Sequence, residues 1–382
     1  MNICVVSEGY PYADDPQFSF VHQLFVEVSR QECEVYIISP QSIIHVLLGK
    51  DKKHPLYRVE EYGGRKMHIY RPYFILAPYR FWKFNDASFK YAVARQFSKI
   101  KAKIDVCYGH FWNNAYYISS VAKKNQIPLF VASGEGNFDD LEIKYKSKRY
   151  QDFSKLVKGV ICVSSSCKDI SVDYNLTTPD KCIVLPNSID SGIFNFKNKL
   201  ELRKKYGFCE DSFIISFVGA FINRKGSQRV SEAIKLLSEE GFKIKSIFIG
   251  KGQGPENLVP DCDGVLHCGP LEHSKIPEFL NMSDVFVLPT LNEGCSNAIV
   301  EALACGLPVI SSDRPFNQDV LNEKNSLLVD PTNITAIKDA IKKLYLDREL
   351  LTNLSKGALE TAAKLTLKNR AKRILDFIKS RI

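Results

Sequence analysis

No apolar run in this 382-residue sequence approaches the length of a membrane-spanning helix. A targeting segment is not expected either. "MNICVVSEGY" has neither the basic start nor the long apolar centre of a signal peptide, and it reads as a first strand. Internal repeats and low-complexity tracts are missing, which sets aside solenoids and disordered polymers. The eleven cysteines have no framework spacing, and Cys4, Cys107 and Cys162 lie in apolar runs. That excludes a disulfide scaffold and predicts buried, reduced thiols in a cytoplasmic protein. Metal ligands are thinly placed. Cys262, His267 and Cys268 in "DCDGVLHC" have no second pair after them, so zinc is not expected. "IGKGQGPE" supplies Gly250, Gly252 and Gly254 for tight turns, without the Walker lysine or a full GxGxxG.

What remains is the composition of a soluble globular protein, 45% apolar and 25% charged, long enough for two domains. Short apolar runs alternate with amphipathic stretches. "NICVVS", "EVYIIS", "DVCYG", "PLFVAS" and "GVICVS" read as strands of a first series. "SFIISFVGA", "KSIFIG", "GVLHCG", "VFVLPT" and "LPVISS" form a second. Runs without alternation suit buried parallel strands, and the helices between them make βαβ units. The expected class is therefore α/β, with two Rossmann-like doubly wound domains, 1–188 and 189–365. The tail keeps helical spacing through Leu375, Ile378 and Ile382, predicting a final helix over 366–382 that packs back on the first domain.

In open parallel sheets ligands bind beyond the carboxyl ends of the strands. After "SFVGA" come Arg224, Lys225 and Gly226 and then a helix start near Ser227, a place for phosphate oxygens. A solvated basic turn is the plainer alternative for that loop alone. After "DVFVLPT", the stretch "TLNEGCSNAIVEALACGLPVI" places Glu293 before a helix and Glu301 inside it. Eight residues of ideal helix would separate the two by at most roughly 12 Å. Gly294, Ser296, Asn297 and Ala298 leave room for an anion at the helix start.

At this point "VLPNSID", "GAFINRKG" and the long block from "GPLEHSKI" to "LPVISSD" resemble the retaining glycosyltransferases of family GT4, whose fold is GT-B. The resemblance implies two domains facing each other across a cleft that closes on a nucleotide-sugar. It implies that Glu293 contacts the donor sugar and Glu301 the ribose hydroxyls, with Arg224 and Lys225 on the diphosphate. Gly219 and the backbone around Cys295, Ser296, Asn297 and Ala298 assist, and the base lies near Leu271. His110, in "YGHFW", falls where the family often has a histidine near the donor sugar. Gly9 matches part of the glycine-rich N-terminal loop of relatives, whereas Ser19 stands where a second glycine often falls. Glu135 and Asp139, in "ASGEGNFDD", are candidates for the acceptor pocket, with a structural reading equally open.

The reaction so implied is retaining transfer of a sugar, from a UDP-sugar by default, to an acceptor hydroxyl, without a metal cofactor. A metal-dependent single-domain transferase would need an Asp-x-Asp after a strand. Asp261 and Asp263 match the letters but precede a strand. A sugar-nucleotide epimerase or a non-catalytic nucleotide-sugar-binding protein is the alternative class. Residues 50–103 carry 14 Lys and Arg against 4 Asp and Glu, interleaved with Tyr79, Phe81 and Trp82. "KYKSKRY" adds to that basic surface. No nucleic-acid motif accompanies the charge. The expectation is a glycan or polyprenyl-linked acceptor met at the inner face of an anionic membrane, in bacterial cell-surface polysaccharide synthesis.

Overall fold

A computed structural model gives the structure of the protein and describes residues 1–11, 19–135 and 145–382. The chain divides into two compact units, the first made of residues 1–185 and 367–382, the second of residues 186–366.

The first unit contains strands β1 (Asn2–Val6), β2 (Glu34–Ile38), β3 (Gln41–Ser42), β4 (Tyr57–Tyr62), β5 (Arg65–Tyr70), β6 (Tyr73–Phe74), β7 (Val106–His110), β8 (Leu129–Ser133), β9 (Val157–Cys162) and β10 (Cys182–Val184). Among the described residues eight of these form one sheet in the order β10-β9-β8-β7-β1-β2-β5-β4, parallel except for β4. β3 and β6 pair separately. The central strands are buried along nearly their whole length, as continuous Val/Ile runs require when helices cover both faces. The β4–β5 hairpin was not expected from the apolar pattern, because β4 is half polar and lies at the sheet edge. Its signal was Gly63-Gly64, both at positive φ, in a two-residue turn between alternating runs.

The second unit holds β11 (Phe213–Val218), β12 (Ile244–Ile249), β13 (Val265–Gly269), β14 (Val285–Leu288), β15 (Val309–Ser312) and β16 (Ser326–Val329) in the order β13-β12-β11-β14-β15-β16, all parallel. This is the doubly wound order, and strand order reverses between β11 and β14. In the first unit the reversal falls between β1 and β7. These two switch points are where crevices open at the carboxyl ends of the strands.

Helices pack by one apolar stripe. In Ser227–Glu239, Val230, Ala233, Ile234 and Leu237 are buried, three and four positions apart. The last helix, Leu367–Lys379, buries Leu367, Ala371, Ile374, Leu375 and Ile378 in the first unit's core, beside Leu24 and Val28. Each large aliphatic residue there stabilises the unit by roughly 1.5–3 kcal/mol. Ile382 lies beyond that helix and is exposed, so the expected stripe ends at Ile378.

β7 is held close to the helix that follows it, Trp112–Asn125. A Cβ on Gly109 would stand 2.3 Å from the Ala115 nitrogen and 2.4 Å from its Cα, both backbone atoms. Gly109→Ala is therefore expected to destabilise the protein by about 1–3 kcal/mol or more, the scale of overpacking. Urea denaturation measures this, and an unchanged midpoint would show that the helix moves aside freely.

Candidate functional site

In the second unit the switch point is assembled by three loops. β11 ends at Val218, and the Gly219 amide donates to the Ile249 carbonyl at 2.9 Å. Gly250 follows β12 with its Cα so close that a Cβ would come within 1.9 Å of the Gly219 oxygen. The turn through Arg224 and Lys225 ends at Gly226, whose φ of +84° makes it the left-handed N-cap of the helix Ser227–Glu239. A Cβ there would meet the Pro289 carbonyl oxygen at 2.9 Å, so glycine lets this turn lie against the end of β14. Leu291 N–H donates to the Arg224 carbonyl at 2.8 Å, and Arg229 Nη2 to the Pro289 carbonyl at 2.9 Å.

These contacts bring the neighbours Arg224 and Lys225 to Glu293, 69 and 68 residues further along the chain. Arg224 Nη1 stands 3.2 Å from Glu293 Oε1 and donates to the Asn292 carbonyl at 2.7 Å. Lys225 Nζ bonds the same Glu293 oxygen, and Thr290 Oγ1 donates to it at 3.0 Å. The Glu293 side chain is 12% exposed and that of Lys225 16%, while Arg224 stays 41% exposed. One carboxylate oxygen thus anchors two cations at the end of a parallel strand. Thr290 was not anticipated, although it lies in the motif, because its partner depends on how the loop folds.

Glu301 lies in the helix Asn297–Ala304, whose N-cap Ser296 makes no side-chain capping bond. The neighbouring Cys295 carbonyl accepts from Asn187 Nδ2 at 2.9 Å, which ties "VLPNSID" to the helix entrance. Gly294 and Ala298 flank the same entrance. Leu271 follows β13 and packs partly buried against the core of this unit. His273, two residues on, places Nε2 3.8 Å from Glu301 Oε1 and stacks edge-on to Phe194. It is a member of the site that sequence reading passed over. Glu301, as acceptor and as charge, raises the His273 pKa, with burial opposing.

In the first unit Gly9 lies just past β1, its carbonyl accepting from Ser7 Oγ at 2.5 Å. The buried guanidinium of Arg71 donates to the carbonyls of Tyr10 at 3.4 Å and Pro11 at 2.9 Å, fixing the chain after that turn. His110 ends β7, the strand beside β1. It is 5% exposed, and among the described residues neither ring nitrogen has a hydrogen-bond partner. Burial first, then nearby Arg370, holds its pKa down to about 3, so the ring is neutral near pH 7. The next residue, Phe111, has φ +79° and ψ 157°, a region that costs a side chain of order 1–3 kcal/mol.

Glu135 accounts for part of that conformation. Its carboxylate accepts from Trp112 N–H at 2.9 Å, Gly134 N–H at 3.0 Å, Ser133 Oγ at 3.3 Å and Tyr145 Oη at 3.2 Å. Trp112 opens the helix after Phe111, so Glu135 serves as a remote cap. Burial nevertheless raises its pKa. Asp139, Lys144 and the Tyr79 side chain lie outside the described residues. Among the described residues no three His, Cys, Asp or Glu side chains group as metal ligands, and the cysteines are free thiols. Cys262 instead contacts Ser246 Oγ, and His267 the Gly269 carbonyl.

The His273–Glu301 pair carries a pH signature. A histidine raised by its partner stabilises the fold below the ordinary value near 6.5 and loses that contribution as pH rises through the elevated value. His273→Gln should lower the melting temperature more at pH 6 than at pH 8. Thermal scans of both proteins across that range check it, and equal losses at both pH values would refute it.

Comparison with known proteins fits this geometry. Residues 198–361, which contain the cation pair, Glu293 and Glu301, match the family described as "Glycosyl transferases group 1". A Bacillus subtilis protein named as a teichuronic acid biosynthesis glycosyltransferase is 25% identical over 90% of this chain and 89% of its own. The Escherichia coli UDP-Gal:alpha-D-GlcNAc-diphosphoundecaprenol alpha-1,3-galactosyltransferase is 29% identical over 65% of this chain and 68% of its own. Sucrose-phosphate synthase from Thermosynechococcus elongatus shares the fold with a TM-score of 0.80 at 17% identity, covering 99% of this chain and 98% of its own. HepE of Anabaena, solved with UDP-glucose, covers 100% of both chains at a TM-score of 0.70 and 14% identity. No helix among the described residues is long and apolar enough to cross a membrane. Residues 198–361, with the site at the β11–β14 switch point, thus form a glycosyl transferases group 1 domain, and the chain shares the two-unit Rossmann-like fold of sucrose-phosphate synthase.

Proposed function

We propose that this glycosyltransferase moves a sugar from a UDP-sugar, with retention of configuration and without a metal, to a hydroxyl of a glycan or polyprenyl-linked acceptor in bacterial cell-surface polysaccharide synthesis. The observation that carries the reading is the Glu293 oxygen shared by Arg224 and Lys225. The second unit is the donor domain in this reading and the first receives the acceptor. As the anomeric C–O bond breaks, negative charge gathers on the departing diphosphate. Two cations already held in place stabilise that charge without reorganising, which is worth more in the transition state than in the ground state.

Without donor, Glu293 neutralises the cations. On binding, the cations turn to phosphate oxygens and the released carboxylate faces the sugar. The acceptor oxygen bonds to the anomeric carbon from the face the diphosphate leaves, and a phosphate oxygen takes the acceptor proton. Glu301 accepts from ribose hydroxyls, and backbone near Leu271 holds the base. The neutral His110 ring is able to donate from one nitrogen and accept at the other, which suits a sugar hydroxyl. UDP is favoured because UDP appears in the names of the galactosyltransferase relative and the HepE complex. The names of the teichuronic acid and diphosphoundecaprenol relatives support the polysaccharide setting.

Membrane contact is assigned to the basic surface of the first unit. Phe81 and Phe84 are exposed beside Arg80 and Lys83. Trp82 does not join them as expected. The Arg149 guanidinium covers its ring at 4.4 Å and pairs with Asp86 at 2.7 Å.

Activity is expected to survive EDTA, and Lys225→Ala to lower kcat by roughly 100-fold or more, the scale of one lost preorganised donor. Calorimetry with UDP separates the carboxylates. Glu301→Ala should weaken binding about tenfold, whereas Glu293→Gln should leave it undiminished while turnover falls. Equal weakening in both, or activity lost in EDTA and restored by manganese, would refute these roles. The membrane reading predicts co-sedimentation with anionic but not neutral liposomes, reduced when Arg80 and Lys83 are both changed to Glu. Each such residue contributes about 1 kcal/mol at an anionic surface. Absence of binding to any vesicle would leave a soluble acceptor.

A further inference from the structure

The β4–β5 hairpin carries an aromatic row that the core does not use. Met67 and Ile69 face inward, while His68 and Tyr70 alternate to the other face of the sheet. Tyr57 lies opposite Tyr70 with ring centroids 4.9 Å apart at 24°, and Tyr36 of β2 stacks on His68 at 4.7 Å and 6°. The Tyr57 hydroxyl bonds His68 Nδ1 at 2.8 Å, which locks the row. Where this row meets the helix Trp82–Phe97 there is a groove of about 480 Å³, lined by Tyr57, Tyr70, Tyr73 and Tyr91, with Arg95 and Lys99 on its rim. That volume lies within the range of small-molecule clefts, about 300–1,000 Å³. Tyr91 is 67% exposed. Arg95 and Lys99 are exposed and, among the described residues, in no ion pair.

We infer that this groove is a binding subsite for an acidic saccharide, holding a sugar of the acceptor chain away from its reacting end. Three features converge on that chemistry. Tyrosine presents an apolar face that stacks against the C–H face of a sugar ring and a hydroxyl that bonds sugar oxygens. Arg95 offers a planar fork that matches a carboxylate, and Lys99 adds a second charge. The groove is concave and its aromatic residues are tyrosines, which suits a saccharide better than a flat lipid surface does. Its placement gives the distance. Tyr70 ends β5 and His110 ends β7, both at the carboxyl edge of the sheet, with β2 and β1 between. Three strand spacings amount to about 14 Å, a span that an oligosaccharide bridges and a single sugar does not.

The inference rests on the glycan-acceptor reading, and its test is independent of transfer. Calorimetry on the full chain, without donor, uses an octasaccharide of alternating glucuronic acid and N-acetylglucosamine, with maltooctaose as the neutral comparison. The acidic octasaccharide is expected to bind at least about tenfold more tightly than the neutral one, and less tightly as salt rises. Tyr91→Ala and the pair Arg95→Glu with Lys99→Glu should each weaken it about tenfold, Tyr91→Phe should retain it, and UDP affinity should stay constant throughout. Equal affinity for both octasaccharides, no binding, or insensitivity to these changes would overturn the subsite, while the UDP measurements on Glu301→Ala would still judge the donor site. If Arg95→Glu with Lys99→Glu instead abolished binding to anionic liposomes and left the octasaccharide untouched, the groove would be a lipid contact and the inference would fail.

Discussion

Everything at the candidate site depends on how near the turn after β11 lies to the end of β14. Backbone sets that distance. Gly226 has no Cβ to strike the Pro289 carbonyl, and Leu291 reaches back to the Arg224 carbonyl. Only with the two loops knitted does a carboxylate from one meet two cations from the other. A parallel sheet alone leaves a crevice at its switch point. The short loops fill it with opposed charges, each held by its partner. The arrangement keeps Lys225 largely desolvated without leaving a charge unpaired, which would cost several kcal/mol.

The first unit shows a different device at its own switch point. His110 is neutral, buried and, among the described residues, without a hydrogen-bond partner, next to a residue whose backbone is strained. The strain is held by Glu135, which caps the helix after Phe111, and by the Phe111 amide on the Ala132 carbonyl at 2.9 Å. An orphaned imidazole costs about 1–3 kcal/mol in lost hydrogen bonds. Cost and strain fall together at the position where the fold opens a crevice, and such sites are usually functional.

Much of this was legible in the sequence. Continuous apolar runs marked ten strands, because strands buried on both faces need no alternation. The cation pair and Glu293 stand as charges just after such runs, whereas Glu301, inside the next helix, gained its reading from the family resemblance. Several features escaped for a shared reason. β10 and β16 are short, and in β5 and the edge strand β4 polar residues break the run. His273 and Thr290 gain meaning only through partners in space, and spacing does not disclose a 3.8 Å approach across two loops. Trp82 read as an interfacial aromatic because Arg149, which covers it, lies far along the chain.

The last helix has a consequence for the order in which the protein is made. Residues 186–366 form the second unit without interruption, so that unit has all its parts once they leave the ribosome. The first unit does not, although its strands are synthesised first. Its core takes in Ile374, Leu375 and Ile378 from the far end of the chain. During synthesis, at roughly 5–20 residues per second, the emerging sheet waits with the apolar surface around Leu24 and Val28 uncovered until the final turns arrive. The second domain in sequence is thus the first able to complete its fold, and the nascent N-terminal half keeps apolar surface uncovered for longer, the condition that favours aggregation.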